Sequence, residues 1–302
     1  MDKEKERAIP DYGMATKKDK LLYFGVFPQE LKEASVTVED RPGLDGYHLG
    51  SDGNFYAKLK ATPYAELYAF KNGEPIEEGR EYWFKVSPIL WRVLSVCDGV
   101  AVLMSEDVLA AGSIVGGCDT PVRSVRRLPK RHYLITGAYN MYDVSGMRFW
   151  LNREFFLAAF SPEEREWILT TKVDNSPAST NERSNRNACP DTEDKVYLMS
   201  AAEVKDEQLW ETDLDDRSNI ATKYPTDYAR AMGASSFCAE GFSRWISGRA
   251  NSKGYAWWWL RSPDAFYEDS VKACDGSRTG IHDALLDRCG GVVPILRVKL
   301  PL

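Results

Sequence analysis

Cys274, His282, Asp287 and Cys289 place thiol, imidazole and carboxylate donors within sixteen residues, the raw material of a zinc site. Their spacings of eight, five and two residues match no common structural zinc pattern, in which ligands come as close Cys or His pairs. A loop surface is the simpler account. The six cysteines (Cys97, Cys118, Cys189, Cys238, Cys274, Cys289) include no Cys-x-x-Cys pair and read as thiols rather than as a disulfide scaffold. His48, His132 and His282 lie far apart, so a Ser–His or Cys–His catalytic pair would have to assemble from distant segments. His-Glu-x-x-His, Gly-x-Ser-x-Gly and the glycine loops that cradle phosphates are absent. The expectation is a chain that is not an enzyme, with no catalytic residue, no metal and no cofactor.

The run Arg123, Arg126, Arg127, Lys130 and Arg131 could meet an acidic surface. A net charge of −6 and a pI near 5.3 argue against a chain built to neutralise phosphates, because nucleic-acid affinity rests on Lys and Arg displacing counterions. No apolar run reaches the roughly 18 to 20 residues that span a bilayer, and the start Met1-Asp2-Lys3-Glu4 lacks the apolar stretch of a signal peptide. A soluble protein is therefore expected.

The elements that must position any site begin after a charged arm at residues 1–20. Leu21 to Phe27 fits a buried strand closed by Pro28. Residues from about 40 to 80 are rich in Gly, Asp and Tyr and read as a β-rich insertion. Apolar runs at Tyr82 to Val86, Ile89 to Val96 and Val100 to Met104 flank Asp98-Gly99, a hairpin signal. Ser161-Pro162-Glu163-Glu164 and Ser200-Ala201-Ala202-Glu203 are capping boxes that open helices. Strands and helices mixed without regular alternation predict an α+β fold in one domain over residues 21–302.

Long polar stretches, Asp174 to Asp194 and Glu211 to Lys223, lie between these elements; such loops are uncommon in a compact domain unless functional or mobile. In Trp257-Trp258-Trp259, alternation along a strand sends at least one ring to the opposite face from the others. Burial of both faces, by two sheets or by a sheet and a helix, would satisfy them.

Five segments carry a resemblance: Tyr23 to Gln29, Trp91 to Leu94, Arg148 to Asn152, Trp259 to Pro263 and Gly291 to Leu296. In this order they resemble a prokaryotic and viral family of unknown function that ends in Trp-Leu-Arg-Ser-Pro followed by Gly-Val-Arg-Pro-Ala-Leu. Val293 stands where that family has Arg. The ending is similar to the variable proteins of diversity-generating retroelements. Those proteins display a mutable C-terminal cassette on a C-type lectin-like fold of the formylglycine-generating-enzyme-like subgroup. The codon logic of adenine mutagenesis excludes Glu, Gln, Lys, Met and Trp at diversified positions. Between Asp264 and Gly291 only Glu268 and Lys272 belong to that set, two of 28 positions. A turn region rich in Gly, Asp and Ser would show the same scarcity.

The resemblance implies a receptor- or ligand-binding protein with a display segment at about 257–298. Its partner would be a protein or glycan, as on a host-cell surface, and the chain would be virion-associated or cytoplasmic before assembly. The expected contact residues are Asp264, Phe266, Tyr267, Ser270, Lys272, Arg278, His282, Asp283, Leu285, Asp287 and Arg288, with Trp258, Trp259 and Arg261 as support. Copper-dependent formylglycine generation would need a close thiol pair, which Cys274 and Cys289 do not form in sequence. The sugar-binding signatures Glu-Pro-Asn and Trp-Asn-Asp are absent. Two other classes stay open: an enzyme whose active site assembles from distant residues, and a structural subunit of a virion or surface layer.

Overall fold

A computed structural model describes residues 21–43, 46–64, 68–114, 140–182, 184–206, 221–234, 254–275, 280–286 and 288–300. The charged arm at 1–20 and the basic run Arg123 to Arg131 lie outside the described residues.

The strands, in chain order, are β1 (Leu21–Leu31), β2 (Val38–Pro42), β3 (His48–Gly50), β4 (Phe55–Lys60), β5 (Glu81–Cys97), β6 (Val100–Ser105), β7 (Ala110–Gly112), β8 (Thr171–Val173), β9 (Thr192–Asp194), β10 (Val196–Tyr197), β11 (Trp258–Pro263), β12 (Ser270–Cys274), β13 (Ile281–Leu285), β14 (Gly290–Val292) and β15 (Ile295–Lys299). The long strand β5 organises the first, eight-stranded sheet. β1 runs antiparallel along one of its edges, from Leu21 opposite Arg92 to Leu31 opposite Phe84. The other edge takes β4 beside Glu81 to Lys85 and β6 beside Trp91 to Cys97. β3 and β2 extend the sheet beyond β4, and β15 and β10 extend it beyond β6. The segment from about 40 to 80 thus contributes strands to the main sheet.

The second sheet has the order β13-β12-β11-β14-β7, with β11 and β14 parallel and the other pairs antiparallel. The chain passes between the two sheets from β6 to β7 and from β14 to β15, and both sheets contribute to one contiguous apolar core. β8 and β9 form a separate ribbon.

Local chemistry explains several of the recurring segments. Gly25 sits at φ +65°, where a Cβ would lie 2.6 Å from the Phe160 ring, and β1 slips register between Tyr23 and Val26 around it. Only glycine meets both demands. Trp91, fully buried, donates from Nε1 to the Phe24 carbonyl at 2.7 Å. Asn152 acts as an edge partner for β10: its Oδ1 accepts from Lys195 N and Val196 N, and its Nδ2 donates to Val196 O. A Cβ on Gly290 would meet the Trp257 ring at 2.4 Å.

The Asp98-Gly99 turn stands between Cys97 and Val100 as expected, with φ of 49° and 73°, the positive values a two-residue hairpin turn requires. Pro28 does not close β1. It lies inside the strand beside a register shift at Glu30, where a missing N–H is tolerated.

The α+β, C-type lectin-like expectation is corrected. Of the described residues 43% are strand and 18% helix, in large antiparallel sheets, and no lectin fold is identified. Both expected capping boxes are present, at Ser161/Glu164 and Ser200/Glu203. A cap marks where a helix begins and leaves its length open. The first helix is Pro162–Trp167, after which Ile168 bridges to Val298 at the sheet edge, and the second is Ala201–Lys205. Gly146–Trp150 continues through a π-helical turn, Leu151–Phe155, to Phe156–Ala159. Among the described residues no helix is long and apolar enough to cross a membrane.

Candidate binding site

β11 supplies the rigid base. Trp258, Trp259 and Leu260 are fully buried, and Arg261 nearly so. Alternation puts Trp257 and Trp259 on one face, their rings edge to face at 4.9 Å, and Trp258 on the other. Each indole N–H on the strand is satisfied: Trp258 Nε1 donates to Ala221 O at 3.1 Å and Trp259 Nε1 to Gly112 O at 2.8 Å. Arg261 donates to both Glu203 carboxylate oxygens and to Leu198 O. Glu203 also accepts from Ser200 N in the capping box, so one carboxylate caps a helix and neutralises a buried guanidinium.

The loop after β11 is fastened from two directions. Asp264, itself buried, accepts from the Phe266 and Tyr267 backbone N–H groups, both at 2.8 Å, through Oδ1. Its Oδ2 takes the Lys272 ammonium at 2.7 Å, and that ammonium also reaches Asp283 at 2.7 Å and Glu182 at 3.4 Å. Burial opposes ionisation of Asp264, but the Lys272 and backbone hydrogen bonds outweigh it and hold the carboxyl at about 2. From the other side come three asparagines, each buried. Asn140 Nδ2 donates to Asp264 O, Tyr267 O and Ser270 O, Asn187 Nδ2 to Asp264 O at 2.7 Å, and Asn185 Nδ2 to Pro263 O at 2.9 Å. Arg186 adds a bond to Phe266 O at 3.0 Å.

On this clamped turn Phe266 is 75% and Tyr267 65% exposed. Leu285, Asp283 and Arg288 are exposed on and beside the neighbouring hairpin strand. These are the outward members of the residues expected as contacts. Asp264 and Ser270, expected to face outward, are buried, because the turn needs a carboxylate and a carbonyl on its inner side. Lys272 is largely enclosed by its three carboxylates. His282 is half-buried, its ring 6.3 Å from that of Trp257 and its Nδ1 buried without a partner. Burial lowers its pKa. Arg278 and Asp287 lie outside the described residues.

The asparagine clamp and Glu182 were not singled out from the sequence. For Asn185, Asn187 and Glu182 the signal was the Asn-rich polar stretch from Asp174 to Asp194, unusual in a compact domain; Asn140 carried none. No disulfide joins the described cysteines, and among the described residues no group of three or more His, Cys, Asp and Glu could hold a metal.

Residues 98–300 match a family described as a domain of unknown function (DUF6273), well over half of the chain. The chain belongs to that family. No curated protein and no solved structure matches it. The DUF6273 span holds β11, the clamped turn and all three asparagines, whereas β1 to β4 precede it. The DUF6273 region therefore contains the whole turn-holding apparatus.

Proposed function

We propose that the protein binds a macromolecular ligand through the segment from Asp264 to Arg288, with Phe266 and Tyr267 at the centre of the contact. One observation carries this reading: two adjacent aromatic side chains stand in solvent on a turn held by buried asparagines and an enclosed Asp–Lys pair. Exposing two large rings gains nothing for folding, and fixing the turn beneath them removes the ordering entropy that would oppose association. Tyr and Phe supply wide contact area with few rotatable bonds, and the flanking Asp283 and Arg288 provide a polar rim. The partner is a protein or a glycan, and the outward side chains are the ones a diversifying cassette would alter. The two-sheet frame takes the place of a lectin scaffold in this reading.

The test is the double substitution Phe266→Ser with Tyr267→Ser, compared with the parent on a glycan array and a panel of purified cell-surface proteins. We expect stability within about 0.5 kcal/mol of the parent, as for ordinary surface changes, and loss of a ligand by more than ~2 kcal/mol. Retention of every ligand, or failure of the variant to fold, would overturn the reading.

A further inference from the structure

A concave site separate from the exposed turn shares with its base the Arg261–Glu203 pair. It is a cleft of about 260 Å³ between the β8 strand and the first sheet, below the roughly 300 to 1,000 Å³ typical of drug-sized ligands. Leu94, Val102, Val173, Met199 and Ile295 give it apolar walls. Its entrance carries the exposed Lys172 and Asp174.

Of the three cations that line this cleft, two have a carboxylate partner. Arg261 is matched by Glu203, and Lys172 pairs with Asp191 at 3.1 Å. The Asp174 carboxylate accepts from Ser176 N. Arg297 has no carboxylate within ion-pair distance among the described residues, and its Nε is buried without a hydrogen-bond partner. The Thr171 hydroxyl is a second orphan: the residue is over nine-tenths buried and its Oγ1 also has no partner. Two strong hydrogen-bonding groups thus lie unsatisfied in one small, mostly apolar cleft, a state that is costly unless something else completes it.

The geometry points to a binding site for a small monocarboxylate with an apolar body. The carboxylate would accept from Arg297 Nε–H and from the Thr171 hydroxyl, and the hydrocarbon part would lie against the apolar walls. A guanidinium matches the planar carboxylate, and with Arg261 and Lys172 already paired the cleft offers one cation to a single negative charge. A doubly charged anion such as phosphate would meet Glu203 and Asp174.

The full chain is titrated with benzoate, butyrate, benzamide and inorganic phosphate by calorimetry and by the arginine Nε–H resonances, with Arg297 assigned through Arg297→Lys. Benzoate or butyrate should bind in the millimolar range or tighter and shift the Arg297 Nε–H signal, with benzamide and phosphate at least tenfold weaker. Arg297→Met should weaken the carboxylate tenfold or more. Thr171→Val should weaken it severalfold while the melting temperature without ligand stays level or rises, because a buried unpaired hydroxyl is lost. A merely structural role for Thr171 would not give that split. If Arg297→Met does not fold, the Nε–H titration of the parent and the Thr171→Val measurement decide. The proposal is overturned if no carboxylate shifts the Arg297 signal up to tens of millimolar, if benzamide or phosphate binds as well as benzoate, or if both variants bind like the parent.

Discussion

β11 and the turn that follows it are neighbours in sequence and opposites in environment. Every residue from Trp258 to Pro263 is buried, and every residue from Phe266 to Asp269 is exposed. The buried strand is held by two indole hydrogen bonds, a guanidinium clamped on Glu203, and pairing on both edges. The exposed turn, whose Phe266 and Tyr267 rings stand mostly in solvent, is held by polar bonds that end on its backbone. The difference separates what keeps the fold from what shapes the surface. Hydrophobic burial does not distinguish one turn shape from another, whereas directed hydrogen bonds do.

The sharpest way to break that contrast is at its buried end. Trp259→Ala should lose about 3 to 5 kcal/mol of stability through lost burial and the remaining cavity, and its partner carbonyl at Gly112 would lose its donor. Urea unfolding measures this, and a loss under 1 kcal/mol would mean that the strand is not the anchor. A smaller effect is expected at the clamp. Asn140→Ala removes the donor that three carbonyls share; each keeps another, from Asn187 Nδ2, Ser270 N or Asp264 N, so stability should fall by about 0.5 to 1.5 kcal/mol. Its signature is local: amide hydrogen exchange at Tyr267 and Ser270 should accelerate while the β5 and β6 amides keep their protection. Uniform acceleration across both sheets would show that the turn and the core unfold as one unit.

The weakest expected effect is the response to acid, which reads the turn at Asp264 and the hairpin strand β13 at His282. Burial sets the His282 pKa below its ordinary value near 6.5, so the unfolded chain takes up the proton first and stability falls as pH drops below neutrality through that window. Asp264 has its carboxyl depressed to about 2. Its contribution is complete above the unfolded value near 4 and is lost as pH falls from there towards 2. Urea midpoints against pH should therefore show an upper step that His282→Gln removes and a lower step that Asp264→Asn removes. A midpoint that rises on acidification between pH 7 and 5 would contradict the His282 assignment.

Much of the local structure was legible in the residues. The two capping boxes, the Asp98-Gly99 hairpin and the demand of three successive tryptophans for burial on both faces follow from short-range rules about caps, positive φ and alternation. The chemistry of the clamped turn was half legible. Phe266, Tyr267 and Arg288 were expected outward and are exposed. Asp264 was read as a contact because an isolated aspartate carries no mark of which backbone N–H groups it will face.

What the sequence by itself determined is therefore local: where two capped helices begin, where the Asp98-Gly99 hairpin turns, that Trp257 to Trp259 need burial on both faces, and which segment carries exposed aromatic chemistry. The tertiary structure alone decided the rest. It made the fold mostly antiparallel sheet, since short helices such as Pro162–Trp167 give way where the chain joins a sheet edge. It brought Asn140 across 130 residues to Ser270, Glu203 across 58 to Arg261, and Thr171 into one cleft with Arg297. Such pairings depend on which strand edges meet and in what register. That choice is set by the sum of many burial terms over the whole chain, and no single segment encodes it.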